Sequence, residues 1–160
     1  MIPFARATDL FLNRLSRQAL SSLQGVPPDA LNIWRPVQNL NDINTFYALA
    51  THLVGSGEFW VLHAAGGRPL ARDRPAEFRA QGDLATLTAR YDRWLSASRE
   101  VLTALTEADL VRVPTLSETT IPTDDPPWTV ADCLMHAVEH TALHVGHLQI
   151  QRQLWDAERA

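Results

Sequence analysis

Apolar residues recur at helical spacing in four long stretches of this chain. In the first, from about Thr8 to Leu23, Phe11, Leu12, Leu15, Ala19 and Leu23 form one stripe. Thr8 or Asp9 can cap its start, and Gly25, Pro27 and Pro28 stop it. PPDALNIW then reads as a turn or partial helix. The second stretch begins near Asp42 and ends at Gly66-Gly67. It is apolar nearly all the way round, which predicts a central, buried helix. The segment from Gly67 to Gly82 is polar, carries two prolines and reads as a connection. The third helix is predicted from about Asp83 to Thr106, with Leu84, Leu87, Tyr91, Trp94, Leu95, Val101, Leu102 and Leu105 on its buried stripe. Four prolines between Glu107 and Trp128 exclude a continuous helix there, and a short strand pair is the expectation. Thr129, with Asp132 three residues on, signals the start of the fourth helix, predicted to run to about Trp155.

Four amphipathic helices without a convincing sheet predict an all-α, four-helix bundle forming one domain over 1–160. The composition agrees: 46% hydrophobic and 20% charged residues suit a soluble globular chain. No apolar run approaches the roughly 18 residues of a membrane span, and no signal-peptide pattern opens the chain, so a cytoplasmic location is expected. A net charge of −4 gives no reason to propose nucleic acid as a partner. Cys133 is the one cysteine, so an internal disulfide and a cysteine-based zinc cluster are both excluded. Its apolar helical surroundings predict an inert core residue.

The histidines carry the chemistry. Four of six lie in HAVEHTALHVGH, with His136, His140 and His144 at four-residue spacing and His147 three further on, all toward one side of the last helix. Two imidazoles at i and i+4 can converge on one divalent ion, and His52, mid-way along the buried second helix, is the natural third ligand. Three protein ligands leave a coordination position open, as catalytic sites do. Gly55 and Ser56 lie on the face of His52, and Gly57 follows. Glycines inside a buried helix either make room beside a metal or allow close helix packing. Gly55, Ser56 and Phe59, with His136 and His147, are therefore expected to line the pocket or to stand behind the ligands. His63 reads as a capping or surface residue. His136-Ala-Val-Glu139-His140 also fits the HxxEH signature of inverzincins, with Glu139 as base, but that reading leaves His144 and His52 unexplained. A di-iron carboxylate bundle is excluded, because no glutamate is followed by histidine three residues later.

With ALATHLVGSGEFW around His52, EHTALHVGHLQ around His140 and His144, and ARDRPAEF at Ala71 to Phe78, the chain resembles the DinB/YfiT superfamily of metalloenzymes. The glutamine usual after the motif glycine is His147 here. The resemblance implies an up-down-down-up bundle, a zinc or nickel ion on His52, His140 and His144, and often a homodimer. It also implies chemistry with a low-molecular-weight thiol such as bacillithiol or mycothiol. The resulting expectation is a thiol-dependent transferase acting on a small-molecule electrophile. Arg68, Arg72, Arg74 and Arg79 could meet a carboxylate of the thiol, but pairing with Asp73 and Glu77 at the surface is the favoured expectation. The alternatives are a metal-dependent hydrolase, with Glu139, Glu58 or His147 as base, and a non-catalytic stress protein that binds metal or a small ligand.

Overall fold

Local signals set the helix ends. Pro3 sits in the first turn of α1 (Pro3–Leu23), where its missing N–H costs nothing. The helix therefore starts ahead of Thr8, whose hydroxyl donates to the Phe4 carbonyl instead of capping. The structure, a computed structural model, describes residues 1–37, 43–116 and 127–159. The partial helix after Gly25 is α2 (Pro28–Ile33). The second long helix starts at Phe46 as α3 (Phe46–Gly57), because the Thr45 side chain accepts from the Ala48 N–H. The expected start near Asp42 lies outside the described residues. Beyond Gly57 the same helix continues as a π-helical segment, Glu58–Ala65, and ends at Gly66-Gly67 as expected, with Gly67 at φ +65.

The connection to the third long helix is not featureless. Asp73 caps a single turn, α4 (Arg74–Glu77). Asp83 then caps α5 (Leu84–Ala104), accepting from the Thr86 N–H. Where a strand pair was expected, one turn of helix, α6 (Glu107–Leu110), forms behind a Thr106–Asp109 capping box. No strand occurs among the described residues, and residues 117–126 of that stretch lie outside them. The Thr129–Asp132 capping box opens α7 (Val130–Ala157).

Named contacts fix the directions of the four long helices. Arg99 of α5 pairs with Asp9 near the start of α1, so these two run antiparallel. Arg152 near the end of α7 donates to the carbonyls of Ser22 and Gln24 at the end of α1, so those two run parallel. Tyr91 donates to the Ala50 carbonyl, which sets α5 alongside and parallel to α3. Gln151 donates to the Asn44 carbonyl, which sets α7 antiparallel to α3. The result is an up-down-down-up bundle, as expected. All twelve residues of α3 are buried, and Phe46, Leu53, Tyr91, Trp94, Leu102, Leu134 and Leu148 are central to the core. No helix among the described residues is long and apolar enough to cross a membrane.

Candidate metal centre

The buried stripe of α7 includes Ala137, Thr141, Val145 and Leu148. Each is immediately preceded by a histidine: His136, His140, His144 and His147. One residue of helix is a rotation of about 100°. The four rings therefore lie along the flank of the stripe, at the seam with α3, rather than inside the core. His52, 3% exposed, meets them from α3. Its ring centroid lies 5.0 Å from that of His140 and 5.1 Å from that of His144, and the latter two lie 4.4 Å apart.

His52 Nε2 is 3.2 Å from His140 Nε2. Nitrogens bound tetrahedrally to one ion at about 2.0–2.1 Å would stand roughly 3.3–3.4 Å apart. One potential ligand nitrogen from each of His52, His140 and His144 lies within 4.8 Å of the others. The two rings of α7 also have the right charge state. Burial first, then the neighbouring histidines, lower the pKa of His140 to about 3 and that of His144 to about 4. Both imidazoles are thus neutral at pH 7, as ligation requires. These three residues could hold a divalent ion.

What stands behind His52 was not visible in the sequence. Its Nδ1 is 2.8 Å from Glu77 Oε2. Arg72 donates to both oxygens of the same carboxylate, from Nε at 2.7 Å and from its terminal nitrogen at 2.9 Å. Glu77 is 6% exposed, so the expected surface pairing with Arg72 is a buried one. Burial alone would raise the Glu77 pKa, but the hydrogen bonds from His52 and Arg72 outweigh it and hold the group below the usual carboxylate range. An ionised Glu77 is placed to accept from a protonated Nδ1 of His52, the tautomer that would turn the Nε2 lone pair toward the other rings. This is the carboxylate–histidine support that metal ligands ordinarily have.

Gly55 makes that support possible. A Cβ there would overlap the Glu77 carboxylate. At Gly57 a Cβ would overlap the Trp94 ring. The two explanations for these glycines divide between them: Gly55 makes room at the site, for a carboxylate rather than a substrate, and Gly57 permits close helix packing.

The other residues singled out in the sequence have the following places. His147 is exposed, with Nδ1 3.2 Å from His144 Nδ1. His140 Nδ1 is buried without a hydrogen-bond partner among the described residues. His136 packs against Trp60 and Trp128 and pairs with Glu139. Phe59 is buried against Trp60 with the Arg72 guanidinium over its ring, and Ser56 is 3% exposed. His63 Nδ1 lies 2.8 Å from the Arg68 carbonyl, just beyond the end of its helix. Glu58 is held by Arg90. Of the connection's other cations, Arg68 pairs with Glu100 and Arg74 lies over Phe78, whose ring packs at a tilt against His52. Asp73 serves as a helix cap. Cys133 is fully buried, its thiol pushed up to about 11 by that burial, as an inert core residue should be.

The family model described as the DinB superfamily matches residues 12–148, a span that includes all three candidate ligands. The chain belongs to the DinB superfamily. No curated protein matches the sequence. A crystal structure of a conserved protein from Enterococcus faecalis has the same fold as this DinB chain, with TM-score 0.69 and 16% identity over 96% of this chain and 98% of that one. At such identity the likeness speaks for the fold alone, and the case for a metal on this DinB protein rests on the geometry of His52, His140 and His144.

Proposed function

We propose that this DinB-superfamily protein is a divalent-metal-dependent, thiol-dependent transferase acting on small electrophiles. The observation that carries the proposal is the convergence of His52, His140 and His144, with the Glu77 carboxylate 2.8 Å from Nδ1 of the first. Among the described residues three protein ligands converge, which leaves a coordination position for an exogenous group. When bound, a zinc or nickel ion would keep a coordinated thiol deprotonated.

The surrounding side chains favour a nucleophile brought from outside. Glu77 is engaged by His52 and Arg72, Glu58 by Arg90 and Glu139 by His136. Glu77 and Glu58 are thus not free to take a proton from water, and the Glu139 side chain is exposed beside His136. Cys133 is buried and cannot supply a protein thiolate. Arg74 makes no ion pair among the described residues, and its charge helps to depress the His144 pKa. It is a cation beside the centre, suited to the carboxylate of a low-molecular-weight thiol.

A second reading, metal-dependent hydrolysis, has one observation in its favour. His147 touches His144 and could accept a proton from water. The two readings separate by experiment. Metal-loaded protein is incubated with a thiol-reactive electrophile, with and without bacillithiol or mycothiol, and in parallel with ester and phosphoester substrates. Turnover that requires the thiol sustains the transferase, whereas thiol-independent hydrolysis replaces it with the second reading. Elemental analysis of protein prepared without added metal tests the shared premise. About one divalent ion per chain is expected, lost in His144→Ala.

A further inference from the structure

The flank of α7 that carries the histidines does not end at His147. Its next positions are Ile150, Gln151 and Leu154, one and two turns further along the same side. Across the seam, Leu49 stands three residues before His52 on the same face of α3. The row of rings therefore runs directly into a row of apolar side chains. A cavity of about 370 Å³ lies there, with His144 and His147 at one end and Ile43, Leu49, Ile150 and Leu154 among its walls. That volume is at the lower end of the range for small-molecule sites, about 300–1,000 Å³.

Two features define what the cavity would accept. Ile150 is 57% exposed and Leu154 is 45% exposed, so large apolar side chains face solvent in a concave place beside a candidate metal ligand. Apolar surface of that kind gains from being covered. No Asp, Glu, Lys or Arg lines the cavity among the described residues. Its polar groups are the imidazoles, Asn44 and Gln151, whose amide is tied to the Asn44 carbonyl. A charged ligand would lose hydration there without finding a counter-ion among these described residues. The cations of the site, Arg72 and Arg74, belong to the connection that carries Glu77 and do not line this cavity.

We infer that this cavity is the site for the second substrate: a small, uncharged molecule with an apolar or aromatic body, whose reactive end lies against His144. The inference rests on the metal reading and deepens it, because it assigns the apolar electrophile to the end of the centre beyond His147. The charged thiol would then be held on the Arg74 side.

Imidazole and 4-phenylimidazole, both uncharged metal ligands, test it on the cobalt(II)-substituted protein through the visible absorption of the ion. The phenyl compound should bind at least about tenfold more tightly, the return expected for burying a phenyl ring. Ile150→Asp, a change at a half-exposed position, should bring the ratio of the two affinities toward one. Equal affinity of the two ligands for the unaltered protein would overturn the cavity assignment while leaving the metal centre intact. So would a phenyl advantage that survives both Ile150→Asp and Leu154→Asp. Protein that takes up no cobalt would overturn the metal reading and this inference with it.

Discussion

On the α3 side of the centre, His52 is 3% exposed, and its far nitrogen is fixed by a buried carboxylate that a guanidinium grips at both oxygens. On the α7 side, His140 and His144 are only half-buried; one has no partner for its far nitrogen among the described residues and the other leans on an exposed histidine. The difference lies in how each ligand is prepared. His52 is oriented before any ion arrives, by charge-assisted hydrogen bonds. The α7 rings are placed by helical spacing alone and made ready by desolvation, which keeps them neutral.

Acid should expose that contrast most strongly. His140 and His144 have folded-state pKa values of about 3 and about 4, below the ordinary value of 6.5. The unfolded chain therefore takes up protons that the folded chain refuses. Their contribution to stability is complete above about pH 6.5 and is lost as pH falls toward 4 and then 3. Glu77, also lowered, adds a loss of the same sign once pH drops below the ordinary carboxylate value of 4.5. Denaturant midpoints of metal-free protein should fall steadily from pH 7 to pH 5. Near pH 5, unfolding should take up about two protons from this pair. A flat midpoint over that range would mean that the α7 rings are as well solvated as those of the unfolded chain.

Glu77→Gln attacks the other side. The amide can still accept the His52 Nδ1–H, but its charge is gone and its NH2 opposes Arg72. Loss of such a supporting partner typically weakens metal affinity by about 10–100-fold. Competition with a chromophoric chelator reads this directly. An unchanged affinity would leave Glu77 a purely structural residue. Arg72, mostly buried beside Phe59, would lose its partner, so a lower melting temperature should accompany the change.

Gly55→Ala and Gly57→Ala form a matched pair that divides support from packing. Each Cβ meets a side chain it cannot overlap, the Glu77 carboxylate or the Trp94 ring. Overpacking of this kind costs about 1–3 kcal/mol. Both variants should melt earlier, but only Gly55→Ala should also weaken metal binding, because only there is the displaced group the one that orients His52. Equal metal affinities in the two variants would show that the notch at Gly55 does not serve the centre.

The same pair shows what was legible in the sequence. Thr129 and Asp132 could be read because a capping box is a contact within one turn. The α7 histidines could be read because helical period alone puts them on one side. His52 followed from lying mid-way along a helix with no polar face. Glu77 did not, since its partners are set by the course of a proline-containing connection back over α3. The Gly55 notch and the Asp73–Pro75 helix start were the two traces it left in the chain, and neither specifies the other. The start of α1 was misplaced for a more local reason: Pro3 in the first turn outweighs Thr8 as a boundary signal.

The smallest effect expected is at His136, and its smallness is informative. This ring stands one turn before His140, with centroids 5.6 Å apart, and it is packed between Trp60 and Trp128. Its Nδ1 is occupied by Glu139, the residue that the HxxEH reading would make the catalytic base. If His52, His140 and His144 hold the ion, His136→Ala removes aromatic packing and an exposed contact with Glu139 of small worth, but no ligand. Metal content by elemental analysis should stay at that of the unaltered protein, with only a modest drop in melting temperature. Loss of metal from His136→Ala, with retention in His144→Ala, would move the centre one turn toward the start of α7. The centre would then rest on His136 and His140, with His52 still within reach of the latter.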